Sequence, residues 1–379
     1  MADSSAADLP IFNPNAVDLD SADPTDVICY LNQGENEYDG RLGVRVSAIF
    51  VILVLSTLTT MLPVLGARGN KAGSKLRWLR IPLYFYLFAR YFGAGVIIAT
   101  AFIHLLDPAY SEIGPSTCVG MTGGWAGYSW PPAIAMTSAL LLFLLEFLSQ
   151  QYVEAKFGPG SGGHHDTETI VTDSPQALRQ DNGHQQADGA AAKKKLEQSA
   201  SSEVASMSAA SAQTEYEFRE QIAAFLILEF GVIFHSVIIG LNLAVAGDEF
   251  NTLYPVVVFH QAFEGLGIGA RLSAIPFPER FRGLPWLLCL VYGLTTPISI
   301  AIGLGVATTY NAGSFTANVV SGVLDATSAG ILLYTGLVEL LARDFLFNPE
   351  RTRDKKRLMF MVVCLYLGAA IMALLGKWA

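Results

Sequence analysis

The sequence predicts an all-α polytopic membrane protein, and three observations carry that prediction. Of 379 residues, 52% are hydrophobic and only 15% charged, against about 25% charged in an average soluble protein. The mean hydropathy is +0.40. The apolar residues are gathered into stretches of about 20, the length at which a helix crosses a hydrocarbon core of roughly 30 Å. A single soluble domain is excluded, and four cysteines are too few for a disulfide-dense scaffold. A net charge of −9 argues against a nucleic-acid partner.

Taken in order, eight stretches qualify as transmembrane helices: approximately 44–66, 82–106, 131–153, 219–246, 253–273, 285–308, 318–342 and 356–377. Only a short DEFNTL break divides the fourth from the fifth. Together they are too long for one crossing, so a tight helical hairpin is expected. The chain then divides into an acidic extracellular arm over 1–43, three spans within 44–153, a cytoplasmic loop over 154–218 and five spans within 219–379.

Lysine and arginine set the direction. Arg68, Lys71, Lys75, Arg77 and Arg80 lie between the first two spans, Arg280 and Arg282 between the fifth and sixth, and Arg351, Arg353, Lys355, Lys356 and Arg357 before the last. The loops 107–130, 247–252 and 309–317 contain neither residue. Basic loops face the cytoplasm, so both termini are expected outside. Residues 1–40 hold nine acidic residues and no basic one, the reverse of a signal peptide's n-region. The arm reads as a solubilising tail or a region that attracts cations.

The loop 154–218 is rich in Ser, Ala, Gly and Gln; it buries too little apolar surface to offset its ordering entropy, and disorder is expected. Cys289 and Cys364 fall within spans and read as packing residues. Cys29 and Cys118 both fall on the outer side, where disulfides persist, so the two can be bridged or free.

Ionisable groups within spans are costly and face a pathway or a bundle interior. His164, His165 and His184 are in the long loop, whereas His104, His235 and His260 are in spans. His260 and Glu264 are four apart and share a helical face. The midpoint of positions 235 and 264 falls inside the hairpin turn. His235 and Glu264 are therefore at nearly the same depth, at most ~22 Å from the turn. Two imidazoles and a carboxylate suit zinc, or iron(II) or another borderline divalent ion. Taken singly, each also reads as a buried hydrogen-bonded polar group. Further polar residues mark both approaches: His104, Asp107 and Asp325 outside, Glu146, Glu229 and Glu339 inside. Arg90 and Arg271 near inner helix ends are expected to snorkel or pair with those carboxylates. Gly231, Gly240, Gly265, Gly267 and Gly269 permit close helix contact.

The stretches HSVIIGLNLA at 235–244 and HQAFEGLGIGARL at 260–272, supported by AFIHLLDPA at 101–109 and YTGLVELLARDF at 334–345, resemble the ZIP (Zrt/Irt-like) family of divalent-metal transporters, in particular its fungal plasma-membrane zinc-uptake branch. The resemblance covers all eight spans. It implies a 3+2+3 helix bundle with both termini outside, a homodimer, and a primary metal site of His235, His260 and Glu264. Metal would enter the cytosol by alternating access as one helix group shifts against the other. Many members carry a second adjacent metal site; the matching positions here hold Ser236, Gln261 and Thr296, with Ile239 where relatives often have Glu. None is anionic.

The expected function is import of zinc, with iron(II), manganese or cadmium as further cargo. Zinc is then the transported substrate and no resident cofactor is expected. The lipid bilayer is the medium, plasma membrane the expected location, and ubiquitin machinery acting on Lys193, Lys194 and Lys195 a further partner. Two other classes remain open: an intramembrane zinc hydrolase, against which stands the absence of HExxH, and a zinc-sensing receptor.

Overall fold

A computed structural model describes residues 22–31, 38–69, 82–157, 218–347, 352 and 354–378. Nearly all of the 154–218 segment, with His164, His165, His184 and Lys193–Lys195, lies outside the described residues, as does most of the acidic arm.

The described residues are helical, with no strand among them. In chain order they form α1 (Pro24–Leu31), α2 (Leu42–Gly69), α3 (Leu83–Ile113), α4 (Trp130–Phe157), α5 (Phe218–Val245), α6 (Phe250–Ala274), α7 (Leu284–Gly305), α8 (Phe315–Tyr334, running on to Phe347) and α9 (Lys355–Leu375). Among the described residues six of these, α2, α3, α4, α5, α7 and α9, are long and apolar enough to cross a membrane, α7 counted together with the short turn that precedes it. Helix α6 is equally long but carries His260, Gln261, Glu264 and Arg271, and α8 carries Asp325 among Ser, Thr and Gly. Their polar residues lower the hydropathy, and His260 and Glu264 among them belong to the site described below.

Two compact units divide the chain: residues 1–143 with 222–379, and residues 144–221. The second holds the C-terminal part of α4 and the first residues of α5. Within the first, one core joins α2, α5, α6 and α7 through Ala48, Ile52, Leu243, Ala244, Phe250, Val257 and Ile300. Another joins α3 to α9 through Tyr91, Phe92, Val96, Ala99, Met361, Cys364 and Met372. Cys289 and Cys364 are buried free thiols, as the packing reading required.

Helices α3 and α6 meet glycine on glycine. A Cβ built on Gly93 would stand 2.1 Å from Gly267 Cα, so any side chain there forces the helices apart. Gly269 meets Thr60 O of α2 in the same way. In α7, Pro297 has no N–H to give the Gly293 carbonyl four residues earlier; the Ser56 hydroxyl of α2 reaches that carbonyl at 3.4 Å.

The C-terminal end of α5 is closed by Arg45, a residue the sequence did not single out. It is fully buried and donates to the carbonyls of Leu243 (3.1 Å), Ala244 (2.7 Å) and Ala246. Terminal helix carbonyls lack intrahelical partners and carry negative partial charge, which a guanidinium offsets. Arg45 also donates to Asp39 at 2.7 Å, and that bond holds the Asp39 carboxyl down at about 2. Cys29 and Cys118 are joined in a disulfide, which ties α1 to the segment after α3.

Candidate metal site

The hairpin turn occupies residues 246–249, between α5 and α6. Its position brings together residues 25 apart in sequence: His235 Nε2 and His260 Nε2 are 3.3 Å apart. One turn further along α6, Glu264 Oε2 lies 3.6 Å from His260 Nε2. One ligand atom from each of the three residues falls within 4.8 Å of the other two. All three are buried, at 2%, 1% and 0% exposure.

Both oxygens of Glu264 lack a hydrogen-bond partner. A buried carboxylate with no donor and no counter-charge is costly, and the two imidazole nitrogens, within hydrogen-bond distance of each other, are ring atoms that ligate a metal when unprotonated. A divalent cation satisfies all three groups at once. The ligand set of two nitrogens and one oxygen fits zinc and its neighbours, and it leaves coordination positions for water.

Ser236 and Gln261 are each adjacent in sequence to a histidine of the cluster and are fully buried. Ser236 Oγ, Gln261 Nε2 and Thr296 Oγ1 have no hydrogen-bond partner. The Tyr292 hydroxyl, from α7, donates to Gln261 O and Oε1, both at 3.1 Å. This neighbouring pocket is polar but holds no charge of its own. Glu229, two turns before Ser236 on α5, is buried with both oxygens unpaired and acts electrostatically on Glu264.

His104 comes close without joining the cluster. It sits in the Thr100–Leu106 turn of α3, which is π-helical, and its ring centroid is 4.9 Å from that of His260. Its Nε2 is occupied by Met372 O at 3.0 Å. Asp107 is further out. Both line a cavity of about 810 Å³ that reaches His235 and His260.

That cavity contains residues the sequence reading missed: Glu112, Asn242 and Glu249. Residues 107–130 read as a loop, but α3 continues through Pro108 to Ile113, the proline following the π-helical turn at Thr100–Leu106. Asp325, expected on the outer approach, lines the cavity too. On the opposite side, Arg271 pairs with Glu339 at 3.9 Å. Arg90 does not pair with Glu146, Glu229 or Glu339. It makes a two-pronged contact with Asp344 at 3.0 and 2.8 Å, a carboxylate the span boundaries had placed in a loop.

A family model described as ZIP Zinc transporter matches residues 42–376. Zinc-regulated transporter 1 of Saccharomyces cerevisiae is 55% identical over 377 residues, covering 97% of each chain. Zinc-regulated transporter 1 of Schizosaccharomyces pombe is 41% identical, covering 91% of this chain and 87% of that one. Zinc-regulated transporter 2 of Saccharomyces cerevisiae is 35% identical, covering 96% and 100%. No solved structure matches the chain.

Proposed function

The chain belongs to the ZIP zinc transporter family, and from that premise we propose that it imports zinc into the cytosol through the His235–His260–Glu264 site. It is a multi-pass membrane transporter and not an enzyme.

One observation carries the assignment of the ligands: a carboxylate without hydrogen-bond partners and two imidazoles converge within 4.8 Å beneath a cavity. Stripping water from a dication in low dielectric is prohibitive unless charge and lone pairs replace it. Three ligands replace only part of the shell, which keeps the ion exchangeable, as transport demands. A closed four-ligand cage would trap it. Ser236 and Gln261 contribute neutral oxygen beside the site, and His104 and Asp107 line the approach.

Eight crossings in a 3+2+3 arrangement complete the reading, with both termini outside and the segments 1–43, 44–153, 154–218 and 219–379 as the units. Two features support it: α6 and α8 match their neighbours in length, and the Lys-free and Arg-free loops alternate with basic ones. The location is the plasma membrane and the assembly a homodimer. Iron(II), manganese and cadmium compete for the site, and no resident cofactor takes part. The 154–218 segment serves regulation, its histidines sensing cytosolic zinc and Lys193–Lys195 accepting ubiquitin.

Purified protein in sealed vesicles tests the function directly. Accumulation of radioactive zinc, lost in His235→Ala, is expected. Zinc binding without flux would make the chain a receptor and overturn the transport reading.

A further inference from the structure

Two carboxyl groups outside the central cluster meet in the outer cavity. The last turn of α3 packs on α8, and Gly322 gives it room: a Cβ there would stand 2.7 Å from Ile113 Cγ2 and 3.2 Å from Glu112 Cβ. One turn along α8 from Gly322, Asp325 lines the same cavity as Glu112. Asp325 is only 3% exposed. Its Oδ1 and the Glu112 Oε2 are buried without a hydrogen-bond partner, and both side chains line the cavity that leads to His235 and His260.

Among the described residues Lys377 alone brings a Lys or Arg to this cavity. Its ammonium lies 5.4 Å from the Trp378 ring centroid. Asp107 and Glu249 add further negative charge to the walls, a field that concentrates cations. Two carboxylates in a partly dry pocket stay ionised only when a positive charge compensates them and otherwise take up protons; with both ionised they balance a charge of +2. The pair offers oxygen alone, without the imidazoles of the central site. Oxygen ligands of this kind hold an ion that keeps several of its waters.

We infer that Glu112 and Asp325 form a second cation site, which takes a partly hydrated divalent ion from outside before it reaches His235, His260 and Glu264. The inference rests on the transport reading for the identity of the ion, zinc. It divides desolvation into two stages: some waters are exchanged for carboxylate oxygen here, and most of the rest for nitrogen and oxygen below.

The test is equilibrium binding of radioactive zinc to the full-length chain carrying His164→Ala, His165→Ala, His184→Ala, His235→Ala, His260→Ala and Glu264→Ala. That background removes the central ligands and the loop histidines. One weakly held zinc per chain is expected, its affinity falling at least tenfold on adding Glu112→Gln or Asp325→Asn and returning with Glu112→Asp. Absence of that zinc, or its indifference to both substitutions, overturns the proposal. So does loss of the central zinc when Glu112→Gln and Asp325→Asn are placed singly in the otherwise natural chain, because their role would then be structural. Vesicle flux reports separately on the transport reading, so the two can fail independently.

Discussion

His235 and His260 present their Nε2 atoms to each other at 3.3 Å across the α5–α6 hairpin, each carried by a different helix and both within reach of Glu264. The contact is set by where the turn falls. Inserting one residue into α6 between the turn and His260 would rotate that ring away from His235 by about 100°, since a helix turns once in 3.6 residues.

His235→Ala and Glu264→Ala are each expected to reduce zinc uptake to the background of cells lacking the transporter, with surface abundance unchanged. Two remaining ligands cannot replace enough of the ion's water. Uptake of radioactive zinc alongside surface biotinylation measures both quantities, and normal uptake by both correctly placed variants would end the assignment.

The central region is expected to hold one tight ion per chain. Ser236, Gln261 and Thr296 are buried beside the cluster with polar atoms unpaired, but all three are neutral. Two dications about 4 Å apart repel by about 17 kcal/mol even at an effective dielectric of 20, and Glu264 alone does not offset that. Metal analysis of protein lacking the three loop histidines should give one zinc. Gln261→Asp combined with Thr296→Glu should give two. Two tight ions in the first protein would show that the neutral groups suffice.

Gly93→Ala should slow transport without emptying the central site. The added methyl would fall 2.1 Å from Gly267 Cα, so α3 and α6 must separate or lock. We expect at least a tenfold loss of maximal uptake with zinc binding at equilibrium retained. A normal rate would mean that these helices do not slide on each other.

Mass spectrometry of peptides from non-reduced protein should recover Cys29 linked to Cys118. Free thiols at both positions in protein purified without reductant would contradict the fold of the outer segments.

Much of this was legible from the residues. Apolar runs marked most of the helices, and the hairpin arithmetic brought His235, His260 and Glu264 to one region; it placed His235 level with Glu264, whereas the turn at 246–249 is centred midway between His235 and His260, and these two meet. What sequence could not show were contacts across helices that no periodicity encodes. Arg45 reads as a charge at a helix start, yet it is fully buried against two carbonyls of α5 and one of the turn that follows. Glu112 reads as a loop residue because Pro108 and Gly114 flank it, although the helix runs between them. Asp344 likewise lay beyond the apolar run that defined its span, and the partner of Arg90 was missed with it.

The bridge between Cys29 and Cys118 encloses α2 and α3, two helices apolar enough to cross the membrane. A covalent bond cannot pass through a bilayer, so it closes only when both cysteines emerge on the same face. That requires an even number of crossings between them. A nascent chain in which one of the two helices failed to insert would leave the cysteines on opposite faces, and their thiols would not meet. The oxidation state of this pair is therefore a chemical record of biogenesis: it marks the molecules whose first two helices were threaded correctly, before any of the metal ligands on α5 and α6 had been made.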